Sequence, residues 1–384
     1  MPLRMLAKTG VASALHYSGL SAASRAWSRG DVFVVGYHTV VEEVREYESR
    51  AIPANLIGLR MLERQLDWLG SRYRFLSLDE LAVQAGDRPS GGKPPAVVTF
   101  DDGYVGVYEH ALPLLKKKGI PAGVFVVTEA VGRPDLQVYD RLYLLLVRAL
   151  PMLEHKADRL NALFAQHDVR LSVKETGTPL DAVSLMRRLF TTSTQKRLRR
   201  AIRALEQVAN IDETHFAHLR SMTWDMIAEL DRAGWTIGSH TQTHALLTLE
   251  QERRVLNQVL GSARTLQRML GKPIRHFAYP DGRFNPGVVD AVAEAGYRFG
   301  YTTCSHRDPR HPWLTIPRTL LWERAAVDAW GRFSPSLMSY AASPIFRYLS
   351  PCRQDHGPVP AHGCRPERAA ASRRWAAAVE RHEC

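Results

Sequence analysis

The chain has 384 residues, of which 45% are hydrophobic and 23% are charged, the balance of a globular protein with a sizeable core. This length allows one large α/β domain with additions, or two average domains. The net charge of +12 fits an anionic partner such as a membrane surface, a phosphorylated carrier or a nucleic acid. Because the sequence has no RNA-binding signature, zinc finger or basic zipper, we expect no nucleic-acid partner.

The first 30 residues contain four basic residues and no acidic residue. The uncharged run from Thr9 to Ser24 is too short to span a bilayer, and no convincing signal-peptide cleavage site follows it. Residues 1–30 therefore predict a basic helical segment, which either lies on anionic lipid or packs on the fold. We expect a cytoplasmic protein or one bound peripherally at the inner membrane surface, with export as the alternative.

Short β-rich runs alternate with amphipathic helices from residue 31 to residue 324, which we interpret as one domain. Between about 139 and 220 helices with charged outer faces follow one another without a strand, so we interpret this stretch as a helical insertion. Residues 325–384 are rich in Ala, Arg, Pro and Ser and predict a poorly ordered tail. The predicted strands are 31–35, 96–100, 120–127, 235–239, 275–279, 297–303 and 316–320.

The four cysteines are Cys304, Cys352, Cys364 and Cys384. Three of them lie in the predicted tail, and no CxxC pair occurs. This pattern speaks against a disulfide framework and favours a reducing compartment.

Strands that are separated by helices form a parallel sheet, and this many units predicts an α/β fold, a distorted (β/α) barrel with a helical insertion. Enzymes of this architecture carry their chemistry at the carboxyl ends of the strands. The residues that follow each predicted strand are therefore the candidates for a functional site.

Polar side chains follow three of the predicted strands. Asp101 and Asp102 come after one buried run, His240 and His244 after another, and His38 after the first. Two adjacent carboxylates repel each other unless a cation neutralises them or one holds a proton. Two histidines and one carboxylate are a common ligand set for a divalent ion, which lowers the pKa of bound water from about 15.7 towards roughly 7.

Each of these features also has a structural explanation. Asp-Asp-Gly is more often a turn than a site, a single His-x-x-x-His arises by chance, and a lone histidine is more often a hydrogen-bonded structural residue. The occurrence of all three directly after buried strands favours a metal site.

The motifs Thr99-Phe100-Asp101-Asp102-Gly103 and Ser239-His240-Thr241-Gln242-Thr243-His244 resemble the first two motifs of the polysaccharide deacetylase family. This is the NodB-homology fold, also called carbohydrate esterase family 4. The resemblance covers about residues 31–128 and 222–322 and leaves out the insertion and the tail.

The resemblance implies a role for each matching residue. Asp101 matches the catalytic base, and Asp102, His240 and His244 match the metal ligands. The backbone N–H of Tyr104 matches an oxyanion donor. The run Phe277 to Gly282, which includes Tyr279 and Pro280, resembles the third motif, which shapes one wall of the substrate groove.

Two departures from the family pattern affect these assignments. Ala278 stands where the third motif carries an arginine that pairs with the base, so Asp101 either lacks this partner or takes Arg318 instead. The late Leu-His motif that supplies the general acid is missing. However, Tyr37-His38 resembles an early Tyr-His motif in a subgroup that includes deacetylases of poly-N-acetylglucosamine. We therefore assign the acid to His38, with His306 and His311 as alternatives.

The resemblance implies a metal-dependent hydrolase that removes acetyl groups from an N-acetylated glycan or a lipid-linked amino sugar. The ligand set favours Zn²⁺ but also accepts Mn, Co or Ni. Alternatives on the same scaffold are a deformylase, an O-acetyl esterase or an amidohydrolase of small cyclic substrates. A catalytically inactive carbohydrate-binding protein is an alternative of a different class.

Overall fold

The computed structural model describes residues 3–18, 32–84, 92–169, 171 and 180–343, together with Cys352 and His356. Its core is a parallel sheet that closes on itself, because the first strand pairs with both the fifth and the last. The strands are β1 (Phe33–Tyr37), β2 (Thr39–Val41), β3 (Leu56–Gly58), β4 (Arg74–Phe75), β5 (Pro95–Phe100), β6 (Ala122–Val126), β7 (Thr236–Ser239), β8 (His276–Ala278), β9 (Phe299–Thr302) and β10 (Ile316–Leu320).

Seven parallel strands form the barrel, in the order β1, β10, β9, β8, β7, β6, β5 and back to β1. Strand β4 pairs with the beginning of β5, and β2 and β3 form a separate parallel pair. The predicted α/β barrel is therefore confirmed.

Helices pack around the barrel and connect its strands. Within the described residues none of them is both long enough and apolar enough to cross a membrane. The helices are α1 (Leu3–Tyr17), α2 (Leu59–Gly70), α3 (Leu78–Gln84), α4 (Leu112–Lys118), α5 (Val138–Met152), α6 (Lys156–Gln166), α7 (Ala182–Thr192), α8 (Gln195–Leu205), α9 (Trp224–Arg232), α10 (Glu252–Leu270), α11 (Pro286–Glu294) and α12 (Pro335–Ala341). A π-helical turn, Val107–Ala111, leads directly into α4.

Alternate residues of each strand face opposite sides of the barrel wall. The inward-facing residues form one apolar cluster, which includes Val34, Val97, Phe125, Ala278, Tyr301 and Ile316. Their neighbours face outward and pack under the helices; they include Val35, Val98, Val124, Phe277 and Tyr279. The same alternation predicts an inward orientation for polar residues further along the strands, at positions 38, 101, 240 and 318.

The inserted helices α5 to α8 bury a separate apolar cluster against the barrel mouth, with contributions from Leu145, Leu160, Phe164, Leu189 and Leu198. In the described part of the stretch 139–220 no strand is present, as the sequence predicts. Ser221, just beyond it, forms an isolated antiparallel bridge with Tyr104. The insertion is thus a second core that rests on the residues following β5.

Helix α1 lies against α12, the last of the described helices. Ala12 is 1% exposed, and Leu337 and Met338 of α12 are 2% and 0% exposed. The predicted poorly ordered tail is therefore wrong for residues 325–343, which pack on the barrel and on α1. The rest of the tail, apart from Cys352 and His356, lies outside the described residues, as do residues 1–2 and 19–30 of the predicted N-terminal segment.

Candidate metal centre and active site

The barrel brings the candidate residues together at the carboxyl ends of its strands. One ligand atom from each of Asp102, His240 and His244 lies within 4.8 Å of the other two. Asp102 and His240 are each 2% exposed, and Asp101 beside them is 3% exposed. Four polar side chains from two strand ends, β5 and β7, thus share one buried site.

The geometry of this cluster fits a cation. Oδ1 of Asp102 lies 3.5 Å from Nε2 of His240 and 3.3 Å from Nε2 of His244. Within the described chain this buried oxygen has no hydrogen-bond partner. Nδ1 of His240 lies 2.7 Å from the carbonyl oxygen of Ala278, so it carries the proton and Nε2 presents its lone pair to the cluster. An unpaired carboxylate oxygen that faces imidazole nitrogens is what a divalent ion requires.

The pKa values point the same way. Burial and the adjacent charge of Asp101 raise the pKa of Asp102 well above its usual range. Burial lowers the pKa of His240 to about 4 and that of His244 well below its usual value, so both rings are neutral. A cation would reverse the shift at Asp102 and bind the neutral imidazoles.

Strained backbone positions hold the candidate ligands in place. Asp102, Thr241 and His244 all have positive φ angles, of 70°, 67° and 56°. Such conformations cost about 1–3 kcal/mol each and persist only where the surroundings enforce them. The loop from Thr241 to His244 is fixed by hydrogen bonds from Thr128 N–H to Thr241 O (3.2 Å) and from Gln195 Nε2 to Thr243 O (2.6 Å). The barrel and the insertion both enforce this loop.

Asp101 forms a buried, two-pronged ion pair with Arg318 of β10. Both distances, from the two terminal guanidinium nitrogens to the two carboxylate oxygens, are 2.7 Å. Burial works to raise the pKa of Asp101, but the charges of Arg318 and His240 and the hydrogen bonds from Arg318 outweigh it and lower the pKa to about 2. Arg318 thus pairs with Asp101 as the arginine of the third motif would, which Ala278 cannot do. Its charge keeps Asp101 ionised.

His38 follows β1 and is close enough to Asp101, Arg318 and Asp281 for their charges to affect its pKa. Burial is the largest effect and lowers that pKa, so the ring is neutral at pH 7. The whole residue is partly exposed, although its Nδ1 is buried and has no hydrogen-bond partner among the residues described. A neutral ring at the edge of the site can exchange a proton with a bound group.

The two alternative histidines are engaged elsewhere. The ring of His306 stacks on that of His356, with 4.3 Å between the ring centroids. Nε2 of His311 lies 3.5 Å from a carboxylate oxygen of Asp290 on α11. The geometry therefore favours His38 over both.

The backbone of Tyr104 is available beside Asp102. Its bridge to Ser221 is formed by two hydrogen bonds between neighbouring residues. The N–H of Val105 donates to the carbonyl oxygen of Arg220, and the N–H of Met222 donates to that of Gly103. The N–H of Tyr104 takes part in neither. The Tyr104 side chain points away into the insertion, where its hydroxyl lies 2.8 Å from Oδ2 of Asp140. Only the backbone of this residue can serve a substrate.

The predicted groove residues of the third motif require a correction. Tyr279 is fully buried and packs against Phe277 and Phe284 on the outer side of the barrel wall. Strand alternation explains this, since residues 277 and 279 face the helices while 278 faces inward. Pro280 is also buried. Asp281 of this loop is close enough for its charge to act on the pKa of His38, and its carboxylate pairs with Arg283 at 2.9 Å.

Residues of the insertion and of the segment just before it, which the sequence did not single out, surround the candidate metal ligands. Gln137 donates a hydrogen bond to the carbonyl oxygen of Asp102 (3.0 Å), and a hydrogen bond from Tyr139 lowers the pKa of the Asp102 carboxyl. The rings of Tyr139 and Phe190 lie 4.5 and 5.6 Å from that of His244, centroid to centroid. The aromatic character and amphipathic spacing of these residues indicate core packing alone.

Comparison with known proteins bears on this arrangement. The profile of the polysaccharide deacetylase family matches residues 88–300, more than half of the chain. The poly-β-1,6-N-acetyl-D-glucosamine N-deacetylase of Staphylococcus aureus is 33% identical over 97 residues, which are 24% of this chain and 32% of that protein. The match spans no more than 36% of the length of the curated relatives.

A solved structure shows the same fold. The deacetylase PplD of Streptococcus pyogenes, determined in complex with acetate, has a TM-score of 0.51 and 16% sequence identity, covering 82% of this chain and 98% of that chain. The fold agrees with the profile match over residues 88–300, and that match shows that the chain belongs to the polysaccharide deacetylase family.

Proposed function

We propose that this protein is a metal-dependent N-deacetylase that removes acetyl groups from N-acetylated amino sugars. One observation carries the proposal. Asp101 is held ionised by Arg318 directly beside a buried cluster of Asp102, His240 and His244 that fits a divalent ion. A protein that only binds carbohydrate gains nothing from two adjacent buried carboxylates, which are costly to keep.

The low pKa of Asp101 supports metal dependence. A carboxylate with a pKa of about 2 is a weak base, far too weak to deprotonate free water, whose pKa is about 15.7. A divalent ion held by Asp102, His240 and His244 supplies Lewis acidity to the acyl carbonyl and lowers the pKa of the attacking water towards roughly 7. Zn²⁺ fits this ligand set best, and Mn, Co or Ni also fit.

The remaining steps use the chain's own groups. Asp101 accepts the proton of the attacking water through the carboxylate that Arg318 orients. The Tyr104 N–H donates a hydrogen bond to the developing oxyanion, which stabilises the tetrahedral intermediate. His38 then passes the proton that Asp101 has accepted to the leaving nitrogen, because an amine leaves poorly as its anion. Its neutral ring accepts this proton and donates one in turn, so charge and protons balance when acetate and the amine leave.

The substrate class follows from the relatives. The similar staphylococcal protein is described as acting on poly-β-1,6-N-acetyl-D-glucosamine. We infer a glycan or lipid-linked amino sugar with an N-acetyl group for this chain. The His38 position, which resembles the early Tyr-His motif, supports placement with that subgroup.

We further propose that the enzyme works in the cytoplasm or at the inner membrane surface, with residues 1–30 as a peripheral membrane contact. The four basic residues in that segment support binding to anionic lipid. Cell fractionation of the full chain and of a chain without residues 1–30 tests this. Equal membrane association of both would contradict it.

A substrate panel tests the main proposal. Metal-loaded protein is incubated with N-acetyl, N-formyl and O-acetyl derivatives of glucosamine oligomers, and released acetate or formate is measured. We expect acetate from the N-acetyl substrate and its loss after chelation of the metal. Preferred release from the formyl or O-acetyl compound would reassign the enzyme, and no release from any of them would indicate an inactive carbohydrate-binding protein.

A further inference from the structure

A second cluster of potential metal ligands lies outside the site described above. Within the described residues, Cys304, Cys352 and His356 each place one ligand atom within 4.8 Å of the other two. Cys304 follows β9, at the same end of the barrel as the active site, and the other two residues come from the C-terminal part of the chain. Both cysteines are free thiols.

The orientation of His356 points to an ion. Its Nε2 lies 3.5 Å from Sγ of Cys304 and 3.1 Å from Sγ of Cys352. Its Nδ1 lies 3.0 Å from the carbonyl oxygen of Phe284, so Nδ1 carries the proton and the Nε2 lone pair faces the two sulfur atoms. A hydrogen bond from the second ring nitrogen to a carbonyl is the usual support of a metal-binding histidine.

The ring is also held in position by stacking. It contacts Phe284 and His306, at 4.3 Å from each ring centroid, and it is nearly parallel to His306, with 6° between the planes. A histidine that is fixed by a hydrogen bond and by two aromatic neighbours is preorganised to bind an ion. If the two cysteines instead formed a disulfide, the orientation of His356 towards their sulfur atoms would have no function.

We propose that Cys304, Cys352 and His356 bind a Zn²⁺ ion that is distinct from the catalytic one. Zn–S and Zn–N bonds of about 2.3 and 2.0–2.1 Å in a tetrahedral site separate sulfur from nitrogen by roughly 3.6 Å, close to the observed spacing. Two thiolates and an imidazole select zinc over magnesium or calcium. The fourth position is open to water or to a further ligand.

The proton balance of binding is simple. Burial and the neighbouring Cys352 raise the pKa of the Cys304 thiol to about 12, while a hydrogen bond from the backbone N–H of His306 acts in the opposite direction. The Cys304 thiol is therefore protonated without an ion. A thiol that binds Zn²⁺ releases its proton to solvent, whereas Nε2 of His356 contributes a lone pair while Nδ1 keeps its proton.

The position of the cluster suggests what the ion does. Cys304 adjoins Thr303, whose hydroxyl donates a hydrogen bond to the carbonyl oxygen of Asp281. The ion would fasten residues 352 and 356 to the end of β9 and to the loop that contains Phe284. It is thus a structural zinc that links the C-terminal part of the chain to loops at the carboxyl end of the barrel.

Metal counting on the full-length, reduced protein tests the proposal. We expect about two zinc ions per chain in the unaltered protein and one in the variants Cys352→Ser and His240→Ala, each of which removes a different ion. Cys384→Ser is the matched control and should keep both ions. Because Cys352 is exposed, its replacement should not prevent folding even if Cys304→Ser does.

Cobalt substitution identifies which site is filled. Thiolate-to-cobalt absorption in the near ultraviolet should appear in the unaltered protein and in His240→Ala, and it should be missing in Cys352→Ser. The zinc-dependent rise in melting temperature should shrink in Cys352→Ser while acetate release persists. Failure of the deacetylase proposal would leave the loss of thiolate-to-cobalt absorption and of one zinc ion in Cys352→Ser unchanged.

Three outcomes would overturn the second site. The first is a single zinc ion in the unaltered protein that is lost in His240→Ala. The second is an identical cobalt spectrum with and without Cys352. The third is a disulfide between Cys304 and Cys352 in protein purified without reductant, detected by peptide mass, together with no zinc at that site after reduction.

Discussion

The barrel and the helical insertion contribute to one site in different ways. The barrel supplies the groups that could take part in chemistry, among them Asp101, Asp102 and His240, and it positions them by strand pairing. The insertion supplies neighbours such as Tyr139 and Phe190, which it positions by helix packing. This difference indicates that the residues at the strand ends determine which chemistry is possible, whereas the insertion alters the surroundings of those residues. Changes in the barrel should therefore abolish activity, whereas changes in the insertion should alter metal affinity or stability.

Replacement of the proposed base should have the largest effect. Asp101→Asn keeps the size of the side chain but removes the proton acceptor, so we expect kcat to fall by about 10²–10⁴-fold. Metal content should be nearly unchanged, because Asp101 is not one of the three ligands. Acetate release and metal analysis of the same preparation measure both, and His240→Ala serves as the comparison that loses metal and activity together. Full activity in Asp101→Asn would disprove the assignment.

Replacement of His38 should depend on the leaving group. His38→Ala removes the proposed proton donor, so hydrolysis of the N-acetyl amide should fall by about 10²-fold or more. An activated acetyl ester, whose leaving group departs without a proton, should be cleaved at nearly the original rate. The ratio of the two rates is the measurement. Equal losses on both substrates would indicate that His38 does not act as the acid.

Removal of Arg318 should combine a pH shift with a loss of stability. Without its charge, burial prevails and the pKa of Asp101 rises, so the acidic limb of the kcat/KM profile should move to higher pH. Because the pKa of Asp101 is lowered to about 2, the ionised carboxylate stabilises the fold at pH values above 3.8, the ordinary pKa of Asp. This stability is lost as the pH falls towards 2. In Arg318→Met we expect about 3–5 kcal/mol less stability at neutral pH, since a buried carboxylate loses its partner.

Two further variants are controls for the effects of Arg318→Met on the pH profile and on stability. Arg318→Lys keeps a positive charge but not the two-pronged geometry, so it should recover part of the pH profile. Arg324→Met removes an ion pair with Glu48 in which both side chains are more than half exposed, and it should cost no more than about 1 kcal/mol. An unchanged acidic limb in Arg318→Met would contradict the proposed influence of Arg318 on Asp101.

The strand-end residues could be predicted from the sequence because the alternation within each strand is local information. The Asp101–Arg318 pair shows where such reasoning stops. These residues are 217 positions apart. They meet because Val34 of β1 pairs with Arg318 on one side and with Val97 on the other. That register follows from closure of the barrel, which no local pattern specifies.

Two other features could not be read from the sequence for similar reasons. The contact of Tyr139 with His244 depends on how the insertion docks, whereas its amphipathic pattern specifies only that one face is buried. Helix α12 has seven residues, too few to show periodicity, and its partner α1 lies at the other end of the chain. The Ala- and Ser-rich composition therefore suggested disorder where small residues allow close packing.

An insertion variant should affect metal binding more than chemistry. Tyr139→Phe removes the hydroxyl that lowers the pKa of Asp102 while keeping the ring beside His244. Loss of such a supporting hydrogen bond costs about 10–100-fold in metal affinity or activity. We expect weaker metal binding in a chelator competition and near-normal kcat at saturating metal. A fall in kcat that excess metal does not restore would place Tyr139 in the chemistry itself.

Replacement of Asp140 should have the smallest effect on activity. Its main effect should be on the pH dependence of stability. Burial raises its pKa to about 7, although a hydrogen bond from Tyr104 opposes this rise. Between the ordinary value of 3.8 and about 7 the unfolded chain has released this proton and the folded chain has not, so stability falls as the pH rises. Asp140→Asn removes this penalty. Its advantage in stability over the unaltered protein should grow up to about pH 7, by at most about 1.4 kcal/mol for each pH unit.

Chemical unfolding from about pH 4 to about pH 8, with a chelator present so that ion release does not contribute, measures this dependence. The matched control from the same insertion is Asp181→Asn. Asp181 is the residue that precedes helix α7. Hydrogen bonds from Ser184 lower the pKa of Asp181 against the opposing effect of burial, so its replacement should give a small change of opposite sign. A pH-independent difference for Asp140→Asn would show that Asp140 does not hold a proton in the folded state. The insertion would then place a charged carboxylate behind Asp102, and it would influence the metal ligands electrostatically as well as by packing.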